Sequence, residues 1–260
     1  MKKLRLLFFL FLSVSVYSDE LEDVISALQK NIDKVQDLQC SALMSIDMGE
    51  MGTYTQSMKL WTKGRDKMRM EMEASPGLSV NPSPMGQKAT SGKVRMIING
   101  DKVIMESEGK REVLSSDGSS LYRRQAAPPG GDFQRDFREF LKQNKVSIVS
   151  RKKSVIKNLL SRSEPPKEVV LEVVPKEKDP IVQKIEMTVD MERGVITNQK
   201  MFSNYGTTKM DMEYENIKGV WVIKRINMII PTPMGKAGKM TIEYKNVKLN
   251  EGISDRLFME

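Results

Sequence analysis

The sequence predicts a mainly β fold (α+β), with one large curved antiparallel sheet or barrel and helices lying against it. One amphipathic helical pattern is followed by about 200 residues in which apolar and polar side chains mostly alternate with a period of two. About ten or eleven alternating segments follow one another, which favours antiparallel strands joined by turns and loops.

The first eighteen residues, MKKLRLLFFLFLSVSVYS, are typical of a secretory signal peptide. A basic start precedes an apolar run that begins at Leu6 and covers roughly a dozen residues. A bilayer-spanning helix needs about 20 apolar residues, so cleavage near Ser18 is favoured over a retained anchor. We therefore expect an exported protein in which residues 19–260 form one domain.

The residue composition excludes several kinds of site. The chain has no histidine and a single cysteine, Cys40. This excludes Ser-His-Asp and Cys-His catalysis, His-ligated zinc or haem, thiolate metal clusters and an internal disulfide. Although the formal charge is +8, acidic and basic residues alternate along most of the chain, so nucleic-acid binding is not expected. The sequence predicts a buried Cys40 thiol, no catalytic residue, no metal and no cofactor.

Two amphipathic helices are predicted. The first lies in SDELEDVISALQKNIDKV, with Ser18 or Asp19 available as N-cap. The second, central helix lies in GGDFQRDFREFLKQNKV, where three phenylalanines and a leucine share one side. The apolar positions of the first helix are Leu21, Val24, Ile25, Leu28, Ile32 and Val35.

Eleven further segments are predicted to be strands. In the clearest cases one face carries Met, Ile, Val or Tyr and the other carries charged residues or Thr, as on a sheet buried on one side. The segments are LQCSALMSIDM, YTQSMKLWTK, KMRMEME, KVRMIING, KVIMESE, KEVVLEVVP, KIEMTVDM, GVITNQKMF, KMDMEYE, VWVIKRINMII and KMTIEYKNV.

Two glycine-lysine segments, SPMGQKATSGK and TPMGKAGKM, share some features of a phosphate-binding loop. That loop needs four residues between its first glycine and the Gly-Lys pair, and then Ser or Thr. In the first segment five residues separate Gly86 from Gly92, and Val94 follows the lysine; the second also fails this test. Each leads into a strand and not into a helix. We interpret 74–92 and 231–239 as long hairpin loops.

Methionine is frequent, with 20 Met against 8 Phe, 6 Tyr and 2 Trp, and the strand methionines fall on the apolar face. Met is flexible and suits surfaces that accept variable apolar partners. One interpretation is an ordinary core; the other is a cavity for acyl chains, stabilised by about 0.8 kcal/mol per buried CH₂ group. The candidate lipid-binding residues are Met58, Leu60, Met68, Met70, Met72, Met96, Ile98, Met187, Met210, Met212, Met228 and Met240.

Several strings, in their order, resemble the LolA/LolB-like family of periplasmic outer-membrane lipoprotein-sorting carriers. LEDVISALQKNIDKVQDLQCSALMSI is similar to the family's first helix and strand, and KLWTKGRDKMRMEME to its Leu-Trp-x-Lys strand and the next strand. MIINGDKVIM is similar to its Asp-Gly-Lys hairpin, and VKLNEGISDRLF to its closing segment. The resemblance implies a half-open antiparallel β-barrel covered by the two helices, whose cavity carries lipoprotein acyl chains between membranes.

The resemblance also implies a helical lid. In such carriers an Arg directly follows the Leu-Trp-x-Lys segment and helps to hold the lid shut, whereas here Gly64 takes that place and Arg65 follows it. A shift of one residue turns a strand side chain to the opposite face unless a bulge intervenes. Arg65, with Leu28 and Ile32 of the helix, is the lid candidate. The expected ligands of a monomeric carrier are acylated lipoproteins or other lipids, with inner- and outer-membrane proteins as partners.

Two other functions stay open. The same fold could serve as an envelope lipid-sensing or protein-binding module that uses the two hairpin loops as its contact surface. A carboxylate-based glycoside hydrolase would need two acids that flank a sugar. The pairs Glu71 with Glu73 and Asp211 with Glu213 lie on polar strand faces, so solvated charges are the simpler interpretation.

Overall fold

The computed structural model describes a defined part of the chain. The predicted signal peptide, the loop 74–92, Arg65 and most of the predicted central helix lie outside the described residues. The described residues are 20–47, 49, 52–64, 66–73, 93–100, 102–107, 109–114, 143–152, 167–177, 179, 181–231 and 238–259.

The described residues include the α-helix α1, thirteen strands and a short 3₁₀ helix near the end of the sequence. Helix α1 covers residues 20–32. The 3₁₀ helix is Asp255–Phe258. The strands are β1 (Asp37–Asp47), β2 (Thr53–Lys63), β3 (Lys67–Glu73), β4 (Lys93–Asn99), β5 (Lys102–Ser107), β6 (Lys110–Leu114), β7 (Asn144–Lys152), β8 (Glu168–Pro175), β9 (Val182–Asp190), β10 (Val195–Ser203), β11 (Gly206–Ile217), β12 (Val220–Ile230) and β13 (Gly238–Leu249).

The strands form one antiparallel sheet that does not close. Their order is β6-β5-β4-β3-β2-β1-β13-β12-β11-β10-β9-β8-β7. Strand β1 joins the two halves of the sheet by pairing with both β2 and β13. Strands β6 and β7 follow one another among the described strands but lie at opposite edges. The predicted mainly β fold and half-open antiparallel barrel are confirmed.

All eleven predicted strands are present, and the two edge strands were missed. β6, with the sequence KREVL, is short and highly charged, which is common at sheet edges and leaves little apolar alternation to detect. β7 begins inside the segment predicted as the central helix, so that prediction is wrong for residues 144–146. Both glycine-lysine loops join neighbouring antiparallel strands, β3 to β4 and β12 to β13, as predicted. The second loop is shorter than predicted, because β13 starts at Gly238.

The main core lies between α1 and the face of the sheet that carries the predicted apolar side chains, which we call the inner face. Helix α1 contributes Val24, Ile25 and Leu28, all buried in this core. Their spacing of one, three and four residues places them on one side of the helix. The sequence pattern therefore identified the buried faces of both the helix and the sheet.

The opposite, outer face carries a second and smaller core. Residues 250–258, here called the closing strap, cross this face, and Phe258 packs on Ile97 and Ile104. The strap is fixed at its start by Asp37, whose carboxylate accepts hydrogen bonds from the backbone N–H groups of Glu251 and Gly252, each at 3.0 Å. Part of the sheet is thus covered on both sides.

Candidate functional site

Helix α1 is seated directly on the turn between β9 and β10. Gly194 in that turn has a φ of +64°, and a Cβ added there would lie 2.2 Å from the carbonyl oxygen of Ala27 in the helix. Glycine is therefore required both for its backbone conformation and for the close approach. This contact fixes the height of α1 above the β9–β10 side of the sheet.

A pair of hydrogen bonds fastens the end of α1 to the start of β12. Asn31 Nδ2 donates to the Trp221 carbonyl oxygen at 2.9 Å, and the Trp221 N–H donates to Asn31 Oδ1 at 3.0 Å. Lys34 Nζ also donates to the Gly219 carbonyl oxygen at 2.9 Å. With the Gly194 contact, these bonds hold the helix over the β9–β12 part of the inner face.

The predicted lipid-binding residues share the inner face, and most of them are buried in the main core. Met58, Met70, Met72 and Met240 are only partly buried. The buried members are Leu60, Met68, Met96, Ile98, Met187, Met210, Met212 and Met228.

Strand register brings these side chains into neighbouring pairs. Met58 lies opposite Met72, and Leu60 lies opposite Met70 in the pairing of β2 with β3. Across the sheet, β11, β12 and β13 align a further row of methionines: Met210 opposite Met228, and Met228 opposite Met240. Methionines therefore lie side by side on the inner face from β13 to β11, and again on β2 and β3.

The partly buried methionines of β1–β5 form what we call the methionine patch. Sequence reasoning missed two of its members, Met44 and Met105, although both stand in the apolar phase of predicted strands. Met105 lies opposite Met96, and Met44 lies opposite Ile242, so both face inward. The patch consists of Met44, Met58, Met70, Met72 and Met105.

Two of the three lid candidates lie on α1, and the third is Arg65. Leu28 is buried in the main core and Ile32 is partly buried, so both belong to the helix that covers the sheet. Arg65 lies outside the described residues. Gly64 does not lie in a strand: it follows β2 in a turn with a φ of +59°. The prediction of a strand side chain turned to the wrong face therefore does not apply at this position.

A cavity of about 600 Å³ adjoins strands β1–β6. Of the predicted lipid-binding residues, its lining includes Met58 and Met72. Most of its charged lining residues belong to an outer-face row of register neighbours, so the cavity combines apolar surface with both acidic and basic side chains. That row is Lys59, Glu71, Arg95, Glu106 and Arg111.

The carboxylates of that row are paired with arginines. Arg95 Nη1 lies 2.8 Å from Glu106 Oε2, and Arg69 Nε donates to Glu71 Oε1 at 2.9 Å. Partial burial acts to raise the pKa of Glu71, but the hydrogen bond from Arg69 and the charges of Arg69 and Arg95 outweigh it, so the pKa is lowered. A glycosidase acid needs a raised pKa. The row therefore has the character of ion pairs that join strands.

The second acidic pair, Asp211 with Glu213, accepts hydrogen bonds from asparagines of the two neighbouring strands. Asp211 Oδ1 accepts a hydrogen bond from Asn198 on the neighbouring strand at 2.6 Å. Among the described residues, no group of three Cys, Asp or Glu side chains is arranged to hold a metal ion. In the same part of the chain, no helix is long and apolar enough to cross a bilayer.

The Cys40 thiol is buried on β1, as predicted. Burial raises its pKa to about 12. Because the thiolate is the reactive form, we expect the native protein to resist iodoacetamide at pH 8 and to be alkylated rapidly once unfolded in urea. Mass spectrometry after timed labelling measures this difference. Fast labelling of native protein would show that β1 opens readily.

Three solved structures resemble this chain over nearly its whole length. A LolA superfamily protein from Nitrosomonas europaea superposes with a TM-score of 0.57 at 13% identity, covering 91% of this chain and 97% of its own. The LolA-like fold is thereby shown. A DUF1329 family protein from Desulfovibrio piger gives a TM-score of 0.59 at 14% identity, with 93% and 96% covered. An outer membrane lipoprotein-sorting protein domain from Vibrio parahaemolyticus gives 0.57 at 10% identity, with 90% and 95% covered.

These likenesses are visible in the fold and not in the sequence. No family model and no curated protein sequence matches the chain. The LolA-like architecture supplies a curved sheet with an apolar inner face and a helix across it. The identities of 10–14% leave the ligand to be argued from this chain's own residues.

Proposed function

We propose that this LolA-like chain is a non-enzymatic periplasmic carrier that binds acyl chains, those of lipoproteins or of another lipid, on the inner face of its sheet beside α1. The methionine patch carries the proposal. Its side chains are apolar, flexible and only partly buried, so they can adapt to a bound chain. Each CH₂ group taken from water stabilises the complex by about 0.8 kcal/mol, and no catalytic residue is needed.

The attachment of α1 supports this location. The helix is fastened at Gly194, Trp221 and Gly219, in the turns and strand ends between β9 and β12. On that side the inner face is almost entirely buried, with Leu171, Met187 and Ile226 at 0% exposure. The methionine patch lies on the other half of the sheet, where a ligand displaces less packed protein.

Native mass spectrometry of the protein, purified from an exporting host without detergent, tests the proposal. We expect a bound acylated species, or uptake of a diacylated lipopeptide added to the ligand-free protein. If the mass stays unchanged when the lipopeptide is added, the methionines serve only as packing residues of the core. A protein-binding module of the same fold is then favoured.

Two variants on adjacent residues provide the control. Met58→Lys places a charge in the methionine patch, whereas Ser57→Lys places the same charge on the exposed outer face of the same strand. We expect the first to reduce lipid uptake at least tenfold and the second to leave it unchanged. Equal loss in both would indicate that overall charge, and not the patch, governs binding.

A further inference from the structure

Two glutamines occupy the inner face of the sheet, in the phase otherwise taken by apolar side chains. Gln56 of β2 is 4% exposed and Gln199 of β10 is 6% exposed. Gln56 lies opposite Met44, while Gln199 lies between Met187 on β9 and Met210 on β11. Polar side chains at this depth are almost always hydrogen-bonded.

The side-chain oxygens of both glutamines lack that partner. In the part of the chain that the structure describes, Oε1 of Gln56 and Oε1 of Gln199 are buried with no hydrogen-bond donor. A buried acceptor left unpaired carries its full desolvation cost. Methionine, which has a similar volume and is abundant on this face, would avoid that cost. Exceptions to such local rules are expected at functional positions.

The positions of the two oxygens connect them to the proposed binding region. Gln56 adjoins the methionine patch, since it faces Met44 and is two residues from Met58 on the same side of β2. Gln199 lies within a methionine row that crosses the sheet, with Met187 on one side and Met210 on the other. The register neighbours along this row are Met210, Met228 and Met240.

We infer that the interior selects acyl chains that carry an amide N–H, with the side-chain oxygens of Gln56 and Gln199 as its acceptors. This inference rests on the proposed function and narrows its ligand to N-acylated molecules. An amide offers one donor to a glutamine oxygen, whereas an ester offers only acceptors and leaves that oxygen unpaired. Because both oxygens are sealed from solvent, a ligand reaches them only when the surrounding side chains, mostly methionines, move apart.

Matched probes test this selectivity. N-methylhexadecanamide and methyl hexadecanoate share chain length and differ in the single N–H, and each is titrated against a bound fluorescent fatty acid. The quantity compared is the ratio of the ester Kd to the amide Kd. We expect this ratio to be about tenfold larger for the wild-type protein than for the double variant Gln56→Met with Gln199→Met. Using the ratio cancels any difference in how the two probes partition from water.

The variants also supply a ligand-free measurement. Each Gln→Met change should raise the urea midpoint of the protein without lipid, because an unpaired buried acceptor is removed. Gln183→Met on the exposed part of β9, where the amide bonds Asn204, is the control and should change neither the midpoint nor the probe ratio. The single variants show which glutamine contributes more, and Gln→Leu replaces Gln→Met if a variant fails to fold.

The outcomes separate this inference from the proposed function. Failure of both probes to bind would overturn acyl binding itself. Equal binding of amide and ester by the wild type would leave the carrier proposal standing and overturn the amide selectivity. If the double variant still prefers the amide to the ester, Gln56 and Gln199 are not the acceptors.

Discussion

Replacing Gly194 by alanine is expected to lower the free energy of unfolding by about 2–5 kcal/mol. Overpacking of a tight site costs roughly 1–3 kcal/mol, and a left-handed backbone costs a non-glycine residue roughly 1–2 kcal/mol more. Both penalties apply here, because the new Cβ would meet the Ala27 carbonyl oxygen at 2.2 Å and φ is +64°. The obstructing atom belongs to helix backbone, so relief requires α1 to lift from the sheet. Urea unfolding followed by circular dichroism measures the change.

Gly219→Ala is the matched control for this prediction. Gly219 also has a positive φ, +81°, but an added Cβ there would have no neighbour within 4 Å. It should show the backbone cost alone, about 1–2 kcal/mol. If the two variants lose equal stability, the contact between α1 and the β9–β10 turn is not a close one. If α1 lifts as expected, Gly194→Ala should also speed acyl-chain exchange, whereas Gly219→Ala should not.

The position of α1 on the sheet could not be predicted from the sequence. The helix itself and its buried face follow from the spacing of Val24, Ile25 and Leu28, which is local information. Its position depends on Asn31 bonding Trp221, 190 residues away in the chain, and on the fit of Gly194 against Ala27. No periodic pattern carries such pairings. For the same reason, the methionines could be assigned to the inner face but not divided into buried and partly buried members.

The second core on the outer face has a sequence signal, which is a local departure from the alternation of apolar and polar residues. Residues 96–98 and 103–105 are continuous apolar runs, MII and VIM, inside strands that should alternate. Such runs are expected where both faces of a strand are covered. Ile97 and Ile104 supply the extra apolar side chains, and Phe258 covers them. These runs were not used in the sequence analysis; they indicate a covered outer face but do not identify the segment that covers it.

The glutamines give a similar lesson for the candidate site. In YTQSMKLW, Gln56 stands in phase with Met58 and Leu60, so its inward direction could be predicted from the strand pattern. That its oxygen would lack a donor could not be predicted, because hydrogen bonding depends on which groups neighbouring strands and α1 bring close.

At Gly64 the sequence interpretation depended on where β2 ends, because it assumed that residues 64 and 65 continue the strand. Since β2 ends at Lys63, the question of which face the next side chain takes does not arise.

Phe258→Ala is expected to lower the free energy of unfolding by about 3–5 kcal/mol, the usual cost of truncating a fully buried Phe. The side chain is 0% exposed and packs on Ile97 and Ile104, and the strap around it can close the gap only in part. Ile253 and Leu257 of the strap pack on the same cluster but are only partly buried. The strap also makes polar contacts: Lys67 Nζ donates to Asp255 at 2.9 Å and Arg69 donates to the Leu257 carbonyl oxygen at 3.0 Å. These exposed or partly exposed bonds are each weaker than the lost packing. Thermal and urea unfolding measure the effect.

The adjacent residue supplies the control and connects the prediction to function. Met259 is 60% exposed, so Met259→Ala should change stability by no more than about 0.5 kcal/mol. The strap lies on the outer face, and the proposed acyl site lies on the inner face of the same strands. Folded Phe258→Ala protein should therefore bind the fluorescent fatty acid as tightly as wild type under conditions well below its unfolding transition. Loss of binding with the fold intact would mean that the strap sets the curvature of β2–β5, and that the methionine patch depends on packing behind the sheet as well as on its own side chains.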